Sequence, residues 1–511
     1  MATNWGTQIV EFKGGLVSNL SPLQQGINAI GSAIILQNFE PSLSGGYKKI
    51  AGYEKFSDTE VTGTGDIQCV CVTNEVDSNV VIVVRDGVYY QGNGGSWTSK
   101  ATASNNSFDK ARFTKYNFNG TPRIAFVDGT NYPAYYDSAA DTVTFLSSST
   151  ENDQVQGAEH VAFFKNALFF AKGSDLFFTA PFADTDLVVA NGAGQINVGS
   201  DVTGLIVFRE QLIVFSTDRI TRVVGSTIAD YALQPITENI GCIEVDTIQE
   251  VGGDIIFMGP DGLRTLSATD RFGDFGLQVA SKPIKDSFDT FKANSTTFST
   301  LVIRNKAQYR VFGYTSANRA SISKGILSTK FVDQGGSGLQ FAELKGFKVK
   351  VCDSQLTGTD ELIVFGNDDG YVYQMEVGTN LDSSNIEAIY QSPFMPFQDP
   401  QVRKTFYKFV LYLDPDGLVS LNARLIFDQE DPNTIQPASF NITGTGTGVF
   451  TYGSPSAVFN TATFGGQLDK IYSNNVIGSA KNVSIRIEDT STNPLFTLDT
   501  AVFEYSTNDR Q

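Results

Sequence analysis

The chain has 511 residues, with 37 basic and 55 acidic side chains, and carries a net charge of −18 at neutral pH. So acidic a chain is poorly suited to gripping nucleic acid through its phosphates, although it suits a surface that nucleic acid slides past. Abundant phenylalanine (39), tyrosine (19) and glycine (48) point to an all-β protein with a filled core and many turns.

Four cysteines (Cys69, Cys71, Cys242 and Cys352) are too few for a disulfide framework in a chain of this length. Cys69 and Cys71 stand two apart in an apparent strand and so share a face, where reduced thiols act as small hydrophobes. With a single histidine and no paired-cysteine motif, no metal or other cofactor is expected. The start of the chain lacks a basic segment followed by an apolar one, and no apolar run reaches the roughly 18 residues of a membrane span. The expectation is a chain made and folded in a cytoplasm, without membrane insertion of its own.

Residues 1–60 read as an N-terminal arm with first strands. Ile27, Ile30 and Ile34 recur at helical spacing after Pro22, interrupted by Gly26 and Gly31. Pro41 then holds Glu40 extended, and Ser44-Gly45-Gly46 makes a turn before Tyr47.

Between about 61 and 394 one pattern repeats: short apolar runs separated by polar or glycine-bearing turns. Units start near Val80, Arg123, His160, Gly204, Asp254, Gln308 and Glu361, at intervals of roughly 37 to 54 residues. In HVAFFKNALFFAKGSDLFF, Val161–Phe164 and Leu168–Ala171 form a hairpin across Lys165-Asn166. Asp86-Gly87, Asp261-Gly262 and Asp369-Gly370 each separate two apolar runs, as the positive φ angles of a type I′ turn require. Four-stranded units of this period predict a β-propeller of about seven blades. A helix interrupts it, with Ser281 as cap, Pro283 in the first turn and Ile284, Phe288 and Phe291 on one face.

From 395 to 511 the pattern changes. Val419, Leu421, Ala423, Leu425 and Phe427 alternate with mostly polar neighbours, as do Val483, Ile485 and Ile487. A C-terminal antiparallel β-sandwich fits. Gly444–Gly448 lacks the lysine and following helix of a phosphate loop and reads as a surface loop.

The segments FKGGLVSNLSPL (12–23), NFEPSLSGGYKKIAGYEKF (38–56) and HVAFFKNALFFAKGSDLFFTAPF (160–182) resemble the tail nozzle, or tail tubular protein B-like, family of short-tailed bacteriophages. That family is related to tail hub and stabilisation proteins. The SKPIKDSFDTF helix and the closing pattern from GSAKNVSIRIEDTS to AVFEYS are similar to it as well. The resemblance implies a structural virion protein in the distal tail tube, with no enzymatic activity. It implies six copies in a ring, contacts to a tail adaptor and to tail fibre proteins, and viral DNA passing through the lumen without specific binding.

The residues offer little chemistry of their own. His160 opens an apolar strand, and any Ser-His-Asp or Cys-His catalysis would have to use it. Asp368-Asp369-Gly370, Asp414-Pro415-Asp416-Gly417 and Asp428-Gln429-Glu430-Asp431 lie at turns and lack EF-hand spacing, so calcium is not expected there. No catalytic, cofactor-binding or metal residue is therefore assigned. The alternative is a carbohydrate-binding or carbohydrate-cleaving propeller, an adhesin or glycosidase, with Tyr89, Tyr90, Trp97, Tyr135 and Tyr136 as sugar-stacking candidates.

Overall fold

A computed structural model describes residues 5–73, 80–118, 120–225, 230–267, 269, 279–315, 324–333, 336–444 and 469–507. The chain is all-β: among these residues the α-helices are short, Pro22–Asn28 and Lys285–Ala293.

Each of the seven sequence repeats falls in a different sheet, numbered one to seven here. Sheets one to four are four-stranded antiparallel meanders over 67–102, 112–145, 160–197 and 202–237. The fifth shows three strands over 244–265, the sixth begins with four over 297–345, and the seventh with three over 351–375.

Consecutive sheets pack face to face. Cys69, Cys71 and Ile82 of the first meet Phe126 and Tyr136 of the second. Tyr116 and Ala125 of the second meet Leu168 and Phe170 of the third, whose Phe169 and Phe178 meet Val214 and Val223 of the fourth. Phe215 and Ile220 then meet Ile255 and Phe257 of the fifth. The seventh sheet packs back on the first through Val364 and Val372 against Val70, Val72 and Val81. Burial on both faces explains why Val80–Val84 is an unbroken apolar run rather than an alternating one; the strand Val80–Arg85 is buried at every position, with Arg85 paired to Glu60.

The turns follow local chemistry. Asp86 and Gly87 both have positive φ (53° and 70°), the type I′ geometry expected. Lys165-Asn166 (45° and 65°) and Arg209-Glu210 (48° and 61°) achieve the same without glycine. Asp261-Gly262 and Asp369-Gly370 do not, since only the glycine is left-handed in each. Asp261 is drawn instead to the Arg264 guanidinium, and Asp369 accepts hydrogen bonds from the Tyr371 amide and the Tyr373 hydroxyl.

The N-terminal segment is woven into the rest. Its helix ends at Asn28, so Ile30 and Ile34 lie beyond it, contrary to the periodicity; Gly26 is needed where a Cβ would meet the Phe394 carbonyl at 1.9 Å. Strand Ile35–Gln37 pairs with Gly336–Lys345 on one side and Ala388–Gln391 on the other. The sixth sheet thereby runs on, without a break, into the C-terminal strands Val483–Asp489, Ser420–Phe427 and Phe440–Thr443. Strand Tyr53–Lys55 pairs with Val372–Met375 and becomes the fourth strand of the seventh sheet, just ahead of the chain's entry into the first.

The C-terminal half of the core lies between that extended sheet and a second one. The second sheet, of six strands, places Ile471–Ala480, Lys404–Pro415, Phe496–Thr507 and the N-terminal strand Trp5–Glu11 side by side, with Tyr47–Lys49 and then Phe39–Pro41 also on the Trp5–Glu11 side of Phe496–Thr507. Phe406 stacks on Phe427 between the two, with ring centroids 5.2 Å apart. Ile284, Phe288 and Phe291 are buried as expected, but Ser281 does not cap its helix: its hydroxyl accepts from the Leu263 amide. The glycine–threonine stretch from 445 onward lies outside the described residues.

Candidate functional site

The first strands of all seven sheets converge on a cavity of about 250 Å³, to which each contributes: Cys69, Arg112, His160, Leu205, Asp246, Thr300 and Cys352, in sheet order. Its polar side chains are largely spent on one another. Asp246 binds the Arg112 guanidinium through both oxygens (2.9 and 3.2 Å) and the Lys110 ammonium (3.0 Å). Lys110 also donates to the Phe298 carbonyl and the Ser299 hydroxyl. Lys350 pairs with Asp66 and Asp109, and Asp353 accepts from Lys115 and from the Val72 amide. Burial by itself would raise the Asp246 pKa, but the Lys110 and Arg112 charges outweigh it and hold the carboxyl well below its usual range.

His160 is buried at this cavity, where its Nδ1 has no hydrogen-bond partner among the described residues. Burial, with the nearby Arg112 charge, pushes its pKa down to about 3, so the ring is neutral at physiological pH. The thiols of Cys69 and Cys352 are pushed well up, chiefly by burial, and remain protonated. A neutral imidazole beside protonated thiols and an ion-paired carboxylate is not an activated nucleophile–base pair.

A second buried ionic cluster holds the N-terminal segment. Arg310 bonds Glu40 (3.1 Å) and Glu376 (2.6 Å), while Lys306 reaches the same two carboxylates (2.7 and 2.5 Å). Lys49 and Asp489 form a pair at 2.7 Å with almost no exposure.

A larger cavity, about 630 Å³, opens where Tyr53 and the hairpin near Asp382 meet the seventh sheet. Both of its lysines are paired, Lys345 with Glu387 and Lys348 with Asp368, while Asp369 and Asp382 also line it. The neighbouring carboxylates add to burial in raising the Tyr53 hydroxyl to about 12.

Most of these groups are ion-paired, those at the first cavity deeply and those at the second closer to solvent.

Comparison with known proteins adds little. No family model matches the chain, and no curated protein matches it. Solved structures with a similar arrangement include the extracellular domain of a one component system from B. thetaiotaomicron, at 10% identity and a TM-score of 0.40, covering 70% of this chain and 43% of that one. The AfRom2 CNH domain matches at 9% identity and a TM-score of 0.36, covering 65% of this chain and 99% of that one. Against the first of these, this chain spans less than half of the other's length.

The structure scatters the residues singled out in the sequence. Asp414 and Asp416 pair with Lys470 and Lys48, and Asp428 accepts from the Lys481 and Asn482 amides, so these clusters serve turns. Among the described residues no group of three ligating side chains is arranged to hold a metal. Tyr89, Tyr90, Tyr135 and Tyr136 are buried between sheets and cannot offer a face to a sugar; Trp97 alone is partly exposed. Sequence reasoning missed the axial cluster of Lys110, Arg112, Asp246, Lys350 and Asp353. Its signal was a charged residue in or just before the first strand of successive repeats, where apolar alternation leads one to expect none.

Proposed function

We propose that the chain is a structural virion protein, a wall segment of the distal tail tube of a short-tailed bacteriophage. In this reading the seven sheets are the blades of a β-propeller and the C-terminal sheets a β-sandwich attached to it. Six copies surround a channel below the tail adaptor, tail fibre proteins attach alongside, and DNA passes through the lumen without specific binding. The chain has no catalytic role.

One observation carries the reading: the N-terminal strands join the seventh sheet, the sixth sheet and the C-terminal sheets, with buried ion pairs sealing the joints. That construction suits a rigid wall block better than a hinged, ligand-closing enzyme. The net charge of −18 supports an acidic lumen that repels phosphate and lets DNA slide. The resemblance of the arm and of the third repeat to tail nozzle proteins supports the placement in a virion.

The test is electron microscopy of virions and of purified protein. A six-fold tube whose lumen carries more acidic than basic side chains is the expected result, and a lumen lined mainly by lysine and arginine would overturn the sliding mechanism. A carbohydrate-binding or carbohydrate-cleaving propeller is the second reading. It draws on the 630 Å³ cavity flanked by Tyr53, Tyr373 and Asp382, and release of reducing sugar by a monomer would favour it.

A further inference from the structure

The outer face of the second C-terminal sheet breaks the rule followed elsewhere. A sheet with one face on the core normally turns polar side chains to water on the other. Here that face presents Ile477 (90% exposed), Trp5 (63%), Ile471 (59%) and Ile9 (58%), with Tyr407 and Tyr412 between them. Trp5 lies against Tyr407, with ring centroids 4.7 Å apart.

The four most exposed of these are not in the middle of the sheet. They sit on Trp5–Glu11 at one side and Ile471–Ala480 at the other; the short pair Tyr47–Lys49 and Phe39–Pro41 lies on the same side as Trp5–Glu11, beyond its Glu11 end, against Thr497 and Leu498. Trp5–Glu11 pairs only with Phe496–Thr507, and Ile471–Ala480 only with Lys404–Pro415, so among the described residues no strand pairs with either outer edge. Soluble proteins guard such edges with charge, proline or a bulge directed outward. Ile471–Ala480 contains no charged residue and no proline, and Trp5–Glu11 contains only the terminal Glu11.

We propose that these two edges join head to tail, the Ile471–Ala480 edge of one copy adding to the Trp5–Glu11 edge of the next. The strand directions fit. Every neighbour pair across the sheet is antiparallel, so the strand at one side runs opposite to the strand at the other. A second copy brought alongside therefore continues the sheet in antiparallel register. Its exposed isoleucines come beside Trp5 and Ile9 on one continuous face. The two edges are different surfaces, so the contact is heterologous and permits a ring or a filament rather than a closed pair. Charge argues for a second copy over other occupants. On this face Lys408 stands opposite Glu504, and at the rim Lys470 pairs with Asp414 and Lys13 with Glu11. The face thus has no cationic excess to attract an anionic membrane or nucleic acid. The proposal deepens the ring reading by naming its contact, and rests on that reading only for the number of copies.

The test uses the full chain and two exposed substitutions, Ile9→Lys and Ile477→Lys, each placing a charge on one edge. Light scattering across concentration should show the wild type self-associating. Each variant alone should associate at least about 30-fold more weakly, the mass-action equivalent of losing one anchor of roughly 2 kcal/mol. Mixed one to one, the variants should form a dimer and stop there, because one still offers the first edge and the other the second. Variants that associate like the wild type, or a mixture that stays monomeric, would overturn the proposal. So would a wild type that is monomeric throughout, whether or not it floats with vesicles of phosphatidylcholine and phosphatidylglycerol; flotation would assign the face to a membrane. A six-fold tube that survives both substitutions would sink this contact and leave the functional reading standing. A filament abolished by them would do the reverse.

Discussion

The seven stacked sheets and the C-terminal sheets solve the same problem in different ways. In the stack, neighbouring sheets cover a sheet's two faces, so inner strands such as Ala167–Lys172 are largely buried, while outer strands such as Thr98–Thr102 are polar. The second C-terminal sheet covers one face only, and the most exposed apolar residues of its outer face lie on two strands that have no outer neighbour among the described residues. Exposed apolar side chains occur elsewhere too, such as Phe182, Val189 and Ile435, but on this sheet Trp5, Ile9, Ile471 and Ile477 share one face.

The comparison breaks most readily where the two regions are tied together. Arg310→Ala leaves the buried Glu40 and Glu376 with only the half-buried Lys306 between them, and should lower unfolding free energy by about 3–5 kcal/mol in urea titrations. Phe126→Ala, in the fully enclosed interface of the first two sheets, should cost about 3–5 kcal/mol by the same measurement. An effect under 1 kcal/mol at Phe126 would mean that the sheets are not packed face to face.

The axis supplies a pH test. A histidine with a folded pKa near 3, against an ordinary value of 6.5, binds its proton more readily when unfolded. Its contribution is therefore complete above about pH 6.5 and lost as pH falls towards 3, at about 1.4 kcal/mol per pH unit. Since His160 is the only histidine, His160→Asn should flatten the stability curve just below pH 6.5, as followed by thermal melts across pH. An unchanged slope would place the ring in water. At the small end, Ile477→Ser on the open edge should change monomer stability by no more than about 0.5 kcal/mol, while weakening self-association.

Much of the hairpin architecture was legible because it is local. Lys165-Asn166 and Asp86-Gly87 sit between apolar runs and set their own turn geometry, so each repeat could be read from a window of a few dozen residues. The helix after Pro22 was read too long: spacing registered Ile30 and Ile34 but not the competing strand pairing that begins at Ile35. Sugar-stacking roles for Tyr89 and Tyr136 failed for a related reason, since an aromatic looks the same in sequence whether a neighbouring sheet covers it or not.

The candidate sites were illegible because their members are far apart along the chain. Lys110 meets Asp246 across 136 residues, and Glu40 meets Arg310 across 270. What the sequence by itself determined was the all-β class, the seven repeats, the turn positions and the change of character after residue 394, all properties of short windows of backbone preference and burial. Tertiary structure alone decided which charges neutralise one another at the first cavity, and that the N-terminal strands complete sheets hundreds of residues away. Those outcomes depend on which surfaces meet in space, and a linear pattern of polarity does not encode that.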